Sequence, residues 1–256
     1  MIANAALRGY NHFEGSAACC APGCVRPSSL QNTDRKSIAV ATMKKAWKDP
    51  DLWVHWVISA CGGFYGVYAV SLRGGTFGSA QTVNLIVLLL RLWQGDTAEV
   101  LRRLGALAVF SGILVLVYLL PQEKRRAARP FCVLAELAGV GLCGFLPAEL
   151  DGLVALYPIF ALSALQWGFF FQVRGFGCAS IFSTNNLRQT VTAAAGLLLK
   201  REKGAAERLW VYGGTLLFYH TGVLYGILCV SLFTIKGIWG CALPLCLVLL
   251  LLQAEK

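Results

Sequence analysis

Two short runs of uncharged polar side chains interrupt apolar sequence: Gln81-Thr82-Val83-Asn84-Leu85 and, 102 positions on, Ser183-Thr184-Asn185-Asn186-Leu187. Each follows an approach bearing Gly and Phe, Gly75-Thr76-Phe77-Gly78 in one case and Gly175-Phe176-Gly177 in the other, and each runs on into an apolar stretch. Amides and hydroxyls at membrane depth are costly unless they meet protein or water, so they point to a site. Where a helix starts at that depth, its first N–H groups lack partners and its dipole end is positive. Ser, Thr or Asn can cap it, and an anion or a polar substrate group can be held there. On this reading Ser79, Gln81, Thr82 and Asn84 face Ser183, Thr184, Asn185 and Asn186, with Gln166 and Gln189 nearby, as a pathway for a solute or ion. The structural alternative is that these groups only cap interrupted helices and bond to one another.

Glu136 is the one acid well inside an apolar run, Phe131 to Leu146. A carboxyl group there must be paired, protonated or facing water, unless it reaches the headgroups from near the end of its segment. Arg188 is a basic residue well within a candidate segment, which makes Glu136 and Arg188 candidates for a buried pair. Enzymatic chemistry finds little support. His55 lies beside Trp53 and Trp56, His220 beside Tyr219, and neither has the setting of a catalytic base; HExxH, GxSxG and P-loop motifs do not occur. No catalytic residue and no enzyme is therefore expected. Cys19, Cys20 and Cys24 cluster without a nearby His or a second CxxC pair, so neither a metal nor another cofactor is called for. The other cysteines lie in or beside apolar segments as small hydrophobes.

The elements that must position these groups follow from composition. The chain is 57% hydrophobic and 14% charged, with a mean hydropathy of +0.61, which is the signature of an integral membrane protein. A crossing helix needs about 20 mostly apolar residues. Six segments qualify: Trp53 to Leu72, Leu104 to Leu120, Phe131 to Leu146, Leu153 to Phe171, Trp210 to Leu232 and Gly237 to Leu252. The two polar segments, Phe77 to Trp93 and Ala179 to Leu199, are apolar only in their second halves. The expected fold is an all-α polytopic transmembrane helix bundle of two repeated halves, residues 53–147 and 153–252, with about six full spans plus two interrupted polar segments. Eight spans in two parallel halves is the alternative. Trp53, Trp56, Trp93 and Trp210 are expected as interfacial anchors. Gly62-Gly63, Gly139, Gly141, Gly144 and Gly213-Gly214 are expected at close helix contacts.

The excess of 23 Lys and Arg over 13 Asp and Glu fits basic cytoplasmic loops on anionic lipid, and no aromatic-interleaved basic patch suggests nucleic acid. With eight crossings and the amino terminus inside, 11 basic residues lie inside and 7 outside. If the polar segments enter and return on one side, the tally becomes 13 and 5, and the halves have opposite orientation, as in inverted-repeat transporters. Residues 1–42 show neither sustained periodicity nor an apolar run. They read as a disordered extension, with Met43 a candidate start of the 43–256 membrane domain.

At these motifs the chain resembles the YoaK-like family of small bacterial membrane proteins. The residues carrying the likeness are Gly62-Gly63-Phe64-Tyr65-Gly66, Phe77-Gly78-Ser79-Ala80-Gln81-Thr82-Val83-Asn84-Leu85, Ala164-Leu165-Gln166-Trp167 and Ser180-Ile181-Phe182-Ser183-Thr184-Asn185-Asn186-Leu187-Arg188-Gln189. It extends over roughly Trp53 to Leu252. The resemblance implies about six spans, a multi-pass place in the bacterial plasma membrane, and no established activity. Many relatives carry Gly where this chain has Val83, and an Asp after the first Gly pair that is absent here, which removes the acid a proton-coupling role would use at that place. The expected function is that of a small-solute or ion transporter or permease, with its amino terminus cytoplasmic and the bilayer and an unidentified solute as partners. Homo-oligomerisation is left open. The alternative is a non-transporting scaffold whose polar motifs only fix helix packing.

Overall fold

The computed structural model describes residues 48–77 and 79–254. The expectations for residues 1–42 and for a start at Met43 fall outside the described residues. Helix α1, Pro50–Leu72, starts where its sequence dictates: the Asp49 carboxylate accepts from the Asp51 and Leu52 N–H groups at 3.1 and 3.4 Å, and Pro50 fills the first turn. Beyond it the chain turns on Gly74 and Gly75, both at φ +76°.

Next come α2 (Gln81–Trp93), α3 (Thr97–Tyr118), the short α4 (Gln122–Ala127) and α5 (Arg129–Phe145). A single turn, α6 (Gly152–Ala155), leads into α7 (Tyr157–Phe169). A minimal antiparallel hairpin follows, β1 (Gln172–Val173) with β2 (Phe176–Gly177), pairing Gln172 with Gly177 and Val173 with Phe176. Then come α8 (Thr184–Ala195), continued by a π turn over Gly196–Lys200, and α9 (Ala205–Phe233). A 3₁₀ segment, Thr234–Cys241, joins α9 to α10 (Ala242–Ala254). The expected all-α class holds.

Helix α1 is the axis of the bundle. Every residue from Val54 to Ser59 and from Cys61 to Ala69 is buried. Trp56 lies against Gly214, Ala60 against Gly222, and Phe64 and Val67 against Gly226, so α1 and α9 run in the same direction. Backbones meet directly there: a Cβ on Gly63 would overlap the Tyr219 carbonyl oxygen, and one on Gly222 the Ala60 carbonyl oxygen. Helix α5 also runs with α1, because Asp51 pairs with Arg129, Tyr65 with Glu136 and Tyr68 with Cys143. Helix α7 runs against α1, with Gly152 beside Arg73 and Gln166 bonded to Ile58. Helix α3 follows α7, with Gly105 against Tyr157 and Val117 against Gly168. At the 3₁₀ segment the chain doubles back, since Gly237 and Gly240 both pack on Cys229, and α10 returns against α1 and α5.

Three helical stretches are long and apolar enough to cross a membrane: Thr97–Tyr118, Gly152–Phe169 and the 50-residue Ala205–Ala254 that doubles back. The outside of the bundle is apolar, with Leu89, Leu101, Leu116, Leu134, Leu224 and Leu250 among its exposed side chains. A helical, partly apolar protein of this kind fits a membrane. Helix α1 is not among the three, although it is the most enclosed. Its Gly, Trp, Tyr, His and Ser residues lower its hydropathy, and a helix walled in by other helices has no lipid-facing surface to keep apolar.

One of the four tryptophans expected at the interface behaves differently from that expectation. Trp56 is buried at 2% exposure and stacked on Phe218 with ring centroids 5.5 Å apart, because the glycine at 214 admits its ring between α1 and α9. His55, beside it, is buried too. Trp93 is 92% exposed.

Candidate functional site

The turn at Gly74 and Gly75 sends the chain back along α1 instead of away from it. Phe77 packs its ring on Gly66, and the Ser79 hydroxyl donates to the Ile181 carbonyl at 3.2 Å. Ile181 and Ser180 lie against Gly62, near the middle of α1, where a Cβ would come within 2.6 Å of the Ser180 carbonyl oxygen. The two interrupted segments therefore meet in the interior, and Ser79 and Ile181 are themselves 102 positions apart. Helices α2 and α8 both begin beside this junction.

Capping does not follow the expected form. Neither Ala80 nor Ser183 caps its helix with a side chain. The two asparagines act instead as donors to the preceding loop. Asn84 Nδ2 reaches the Phe77 carbonyl at 3.3 Å, and Asn186 Nδ2 reaches the Ala179 and Phe182 carbonyls at 2.7 and 2.9 Å. Asn84 to Phe77 and Asn186 to Ala179 are both steps of seven residues, so the same tie is made twice. The physical reason is that a loop turned inward strands its carbonyl oxygens as surely as a helix start strands its N–H groups, and an amide NH₂ can meet the former. Cys178 bridges Asn186 Oδ1 at 3.5 Å and Thr215 Oγ1 at 3.3 Å, linking the second loop to α9.

Gln166 completes the junction. It is fully buried on α7, and its Nε2 donates to the Ile58 carbonyl at 2.9 Å and the Ser180 hydroxyl at 3.0 Å. Its Oε1 is buried with no hydrogen-bonding partner among the described residues. A carbonyl-type acceptor left in this state costs about 1–3 kcal/mol.

The other candidate residues separate from this centre. Gln81 and Ser183 are half-buried at the helix starts, and Thr82, Thr184 and Asn185 are exposed, so the face-to-face tetrads narrow to Ser79, Asn84, Asn186 and the loop carbonyls. Gln189 accepts from Arg208 at 3.2 Å, and Arg188 donates to Asn185 at 3.2 Å in the open, neither bonded to the junction.

The Glu136–Arg188 pair is not formed. Glu136 is fully buried on α5, where Oε2 accepts from the Tyr65 hydroxyl at 2.8 Å and Oε1 from the Cys132 thiol at 3.5 Å. No cation lies within 4 Å of it among the described residues. Its carboxyl group is enclosed by protein on every side. Glu136→Gln is therefore expected to change stability by no more than about 1 kcal/mol, since a neutral amide replaces a group with neutral partners. Thermal unfolding of purified Glu136→Gln, Arg188→Gln and the double variant checks this: the single effects should add.

Arg73, Cys178 and Thr215 are not among the candidates from sequence, and Ser180 enters only through the family likeness. Arg73 and Thr215 carry no signal, since a basic residue after a span and a lone threonine within one are ordinary. Ser180 and Cys178 lie in the approach to the second tetrad, and its polar character was the available clue.

No curated protein and no solved structure matches this chain. The family match covers residues 54–251, nearly the stretch over which the motif resemblance extends. The chain thus belongs to the family described as protein of unknown function (DUF1275).

Proposed function

We propose that this protein is a small-solute or ion transporter of the membrane, without enzymatic activity, whose polar site is the junction of the two interrupted helices. The observation that carries the reading is the Ser79–Ile181 hydrogen bond, because it joins the two loops in the interior beside the unmet acceptor of Gln166. Transporters built from inverted repeats place broken helices and their substrate near midplane in this way.

Helix order supports two inverted halves. Helices α1, α3 and α5 alternate in direction, and α7, α9 and α10 alternate starting from the opposite sense. Neighbours exchange accordingly: α1 packs on α9 as α7 packs on α3, and α10 packs on α1 as α5 packs on α7. Each interrupted segment then enters and leaves on one side, giving six crossings.

Basic residues divide with this arrangement. Lys48, Lys124, Arg125, Arg126, Arg129, Arg174, Lys200, Arg201, Lys203 and Arg208 fall at the end where α1 starts, against Arg73, Arg91, Arg102, Arg103 and Lys236 at the other. By the positive-inside rule the first end is cytoplasmic. The bacterial plasma membrane is the location that the resemblance implies.

An unmet carbonyl-type oxygen selects a cation or a solute bearing a hydroxyl or amine over an anion. Purified protein screened by thermal shift against cations and small hydroxyl- or amine-bearing metabolites, then reconstituted for liposome flux, tests this. Gln166→Leu should keep the fold while reducing the ligand-induced shift and flux at least about tenfold, the loss of one hydrogen bond to a charged or strongly polar group. Undiminished flux in that variant, or no stabilising ligand and no flux in the wild type, would leave the reading without support.

One observation favours the second reading, a non-transporting scaffold. Asn84 and Asn186 spend their donors on their own loops, as groups that only fix packing would. That reading expects no ligand response from the wild type and a loss of stability from Asn186→Ala.

A further inference from the structure

A second feature lies far from the junction, at the end of the bundle where α1 and α9 start. A cavity of about 580 Å³ opens there between the first turn of α1, helix α4, the start of α5 and the β-hairpin. Arg125, Arg126, Arg129 and Arg174 line it, against the carboxylates of Asp51 and Glu123. The guanidinium groups are not equally committed. Arg174 pairs with Asp49 at 3.3 Å and Glu207 at 3.0 Å, and Arg129 Nη1 pairs with Asp51 at 2.6 Å. Asp51 also lies 4.0 Å from Arg126. Arg125 has no carboxylate within 4.0 Å among the described residues. It lies over the Phe171 ring at 5.7 Å, and its Nε is buried with no hydrogen-bonding partner there. Arg129, only 8% exposed and over Phe170 at 5.2 Å, likewise keeps an unpartnered buried Nε.

Two guanidinium groups lying over aromatic rings, each with a buried Nε that has no hydrogen-bonding partner among the described residues, form a recognition site for a planar or tetrahedral oxyanion. The volume exceeds what a bare inorganic ion fills, and Phe169, Phe171 and Val173 give it an apolar side. We infer that this cavity binds a phosphate-bearing anion through Arg125 and Arg129, either as the headgroup of an anionic phospholipid or as a free phosphate group. Its place at a basic end of the bundle is where anionic headgroups gather. The inference is independent of the transport reading, since it uses none of the junction residues.

The test uses the full chain in detergent, stripped of lipid. Phosphatidylglycerol, phosphatidylcholine as a phosphate neutralised by its own choline, and inorganic phosphate are titrated while the unfolding temperature and lipid-bound species by native mass spectrometry are followed. Stabilisation by phosphatidylglycerol that Arg125→Gln weakens about tenfold, with little response to phosphatidylcholine or inorganic phosphate, assigns the site to a lipid headgroup. Stabilisation by inorganic phosphate that Arg125→Gln likewise weakens assigns it to a free phosphate. Phe171→Leu, which keeps every charge and removes only the ring under Arg125, should weaken whichever ligand binds by a few-fold, and it serves if Arg125→Gln fails to fold. A wild type that answers to none of the three, or a response that neither substitution changes, overturns the inference.

Discussion

Gly63→Ala is expected to destabilise the protein by about 3 kcal/mol or more and to lower the yield of folded material sharply. The cause is local. An added Cβ would overlap the Tyr219 carbonyl oxygen while standing 3.0 Å from the Tyr219 carbonyl carbon and 3.1 Å from the Val223 nitrogen. All three atoms are helix backbone of α9, so no side chain can swing aside, and the two axes must separate. The same contact is made from the other side, where Gly222 meets the Ala60 carbonyl, so Gly222→Ala should behave alike. Gly112→Ala on α3 is the control: nothing lies within 4 Å of its Cβ, and the substitution should stabilise by up to about 1 kcal/mol through helix propensity alone. Thermal unfolding in one detergent ranks the three. Equal melting of Gly63→Ala and Gly112→Ala would remove the close approach of α1 and α9 from the account of the fold.

The second large effect is expected at Arg73. This guanidinium is only 1% exposed, yet it has no carboxylate partner within 4.0 Å among the described residues. It is held by backbone dipoles and a phenol: Nη1 donates to the Pro147 carbonyl at 2.8 Å, Nη2 to the Leu146 carbonyl at 3.1 Å, and Nε to the Tyr68 hydroxyl at 3.2 Å. Those bonds pin the end of α1 to the end of α5 at the point where the chain turns back toward the junction. Arg73→Met keeps much of the apolar stem but strips three charge-assisted bonds and leaves two carbonyls without that donor, at a cost of about 3–5 kcal/mol. Arg73→Lys should recover less than half, since one ammonium cannot reproduce the planar fork. Unfolding of the two variants checks the order. If Arg73→Met melts within about 1 kcal/mol of wild type, the fork is not what ties these ends together.

The sequence was most legible where the signal is local or periodic. Each of the six apolar segments contains a helix, because a stretch of that length at membrane depth must close its own backbone hydrogen bonds. The repeated polar tetrads marked where the chain breaks, and their 102-residue spacing reappears in the Ser79–Ile181 bond. Asn84 and Asn186 were legible as unusual but not in their role, since whether an amide caps N–H groups or serves stranded carbonyls depends on which way the loop turns. Arg188 was misread for a related reason. Its place one turn into an apolar-looking segment suggested depth, but the helix presents it outward beside Asn185.

What the sequence determined by itself was the class of molecule and its points of interruption: helices throughout, an apolar exterior, two polar breaks 102 residues apart. These follow from composition and local patterning, which act within a few residues. Tertiary structure decided what those breaks meet. The absence of side chains at Gly62 and Gly63 lets Ser180 and Tyr219 approach the backbone of α1. The burial of Gln166 with an unmet oxygen, the lodging of Glu136 between Tyr65 and Cys132, and the gathering of Arg125 and Arg129 around one cavity all join residues from separate helices. No periodicity along one chain encodes such meetings, because they depend on the direction and distance at which whole helices pack.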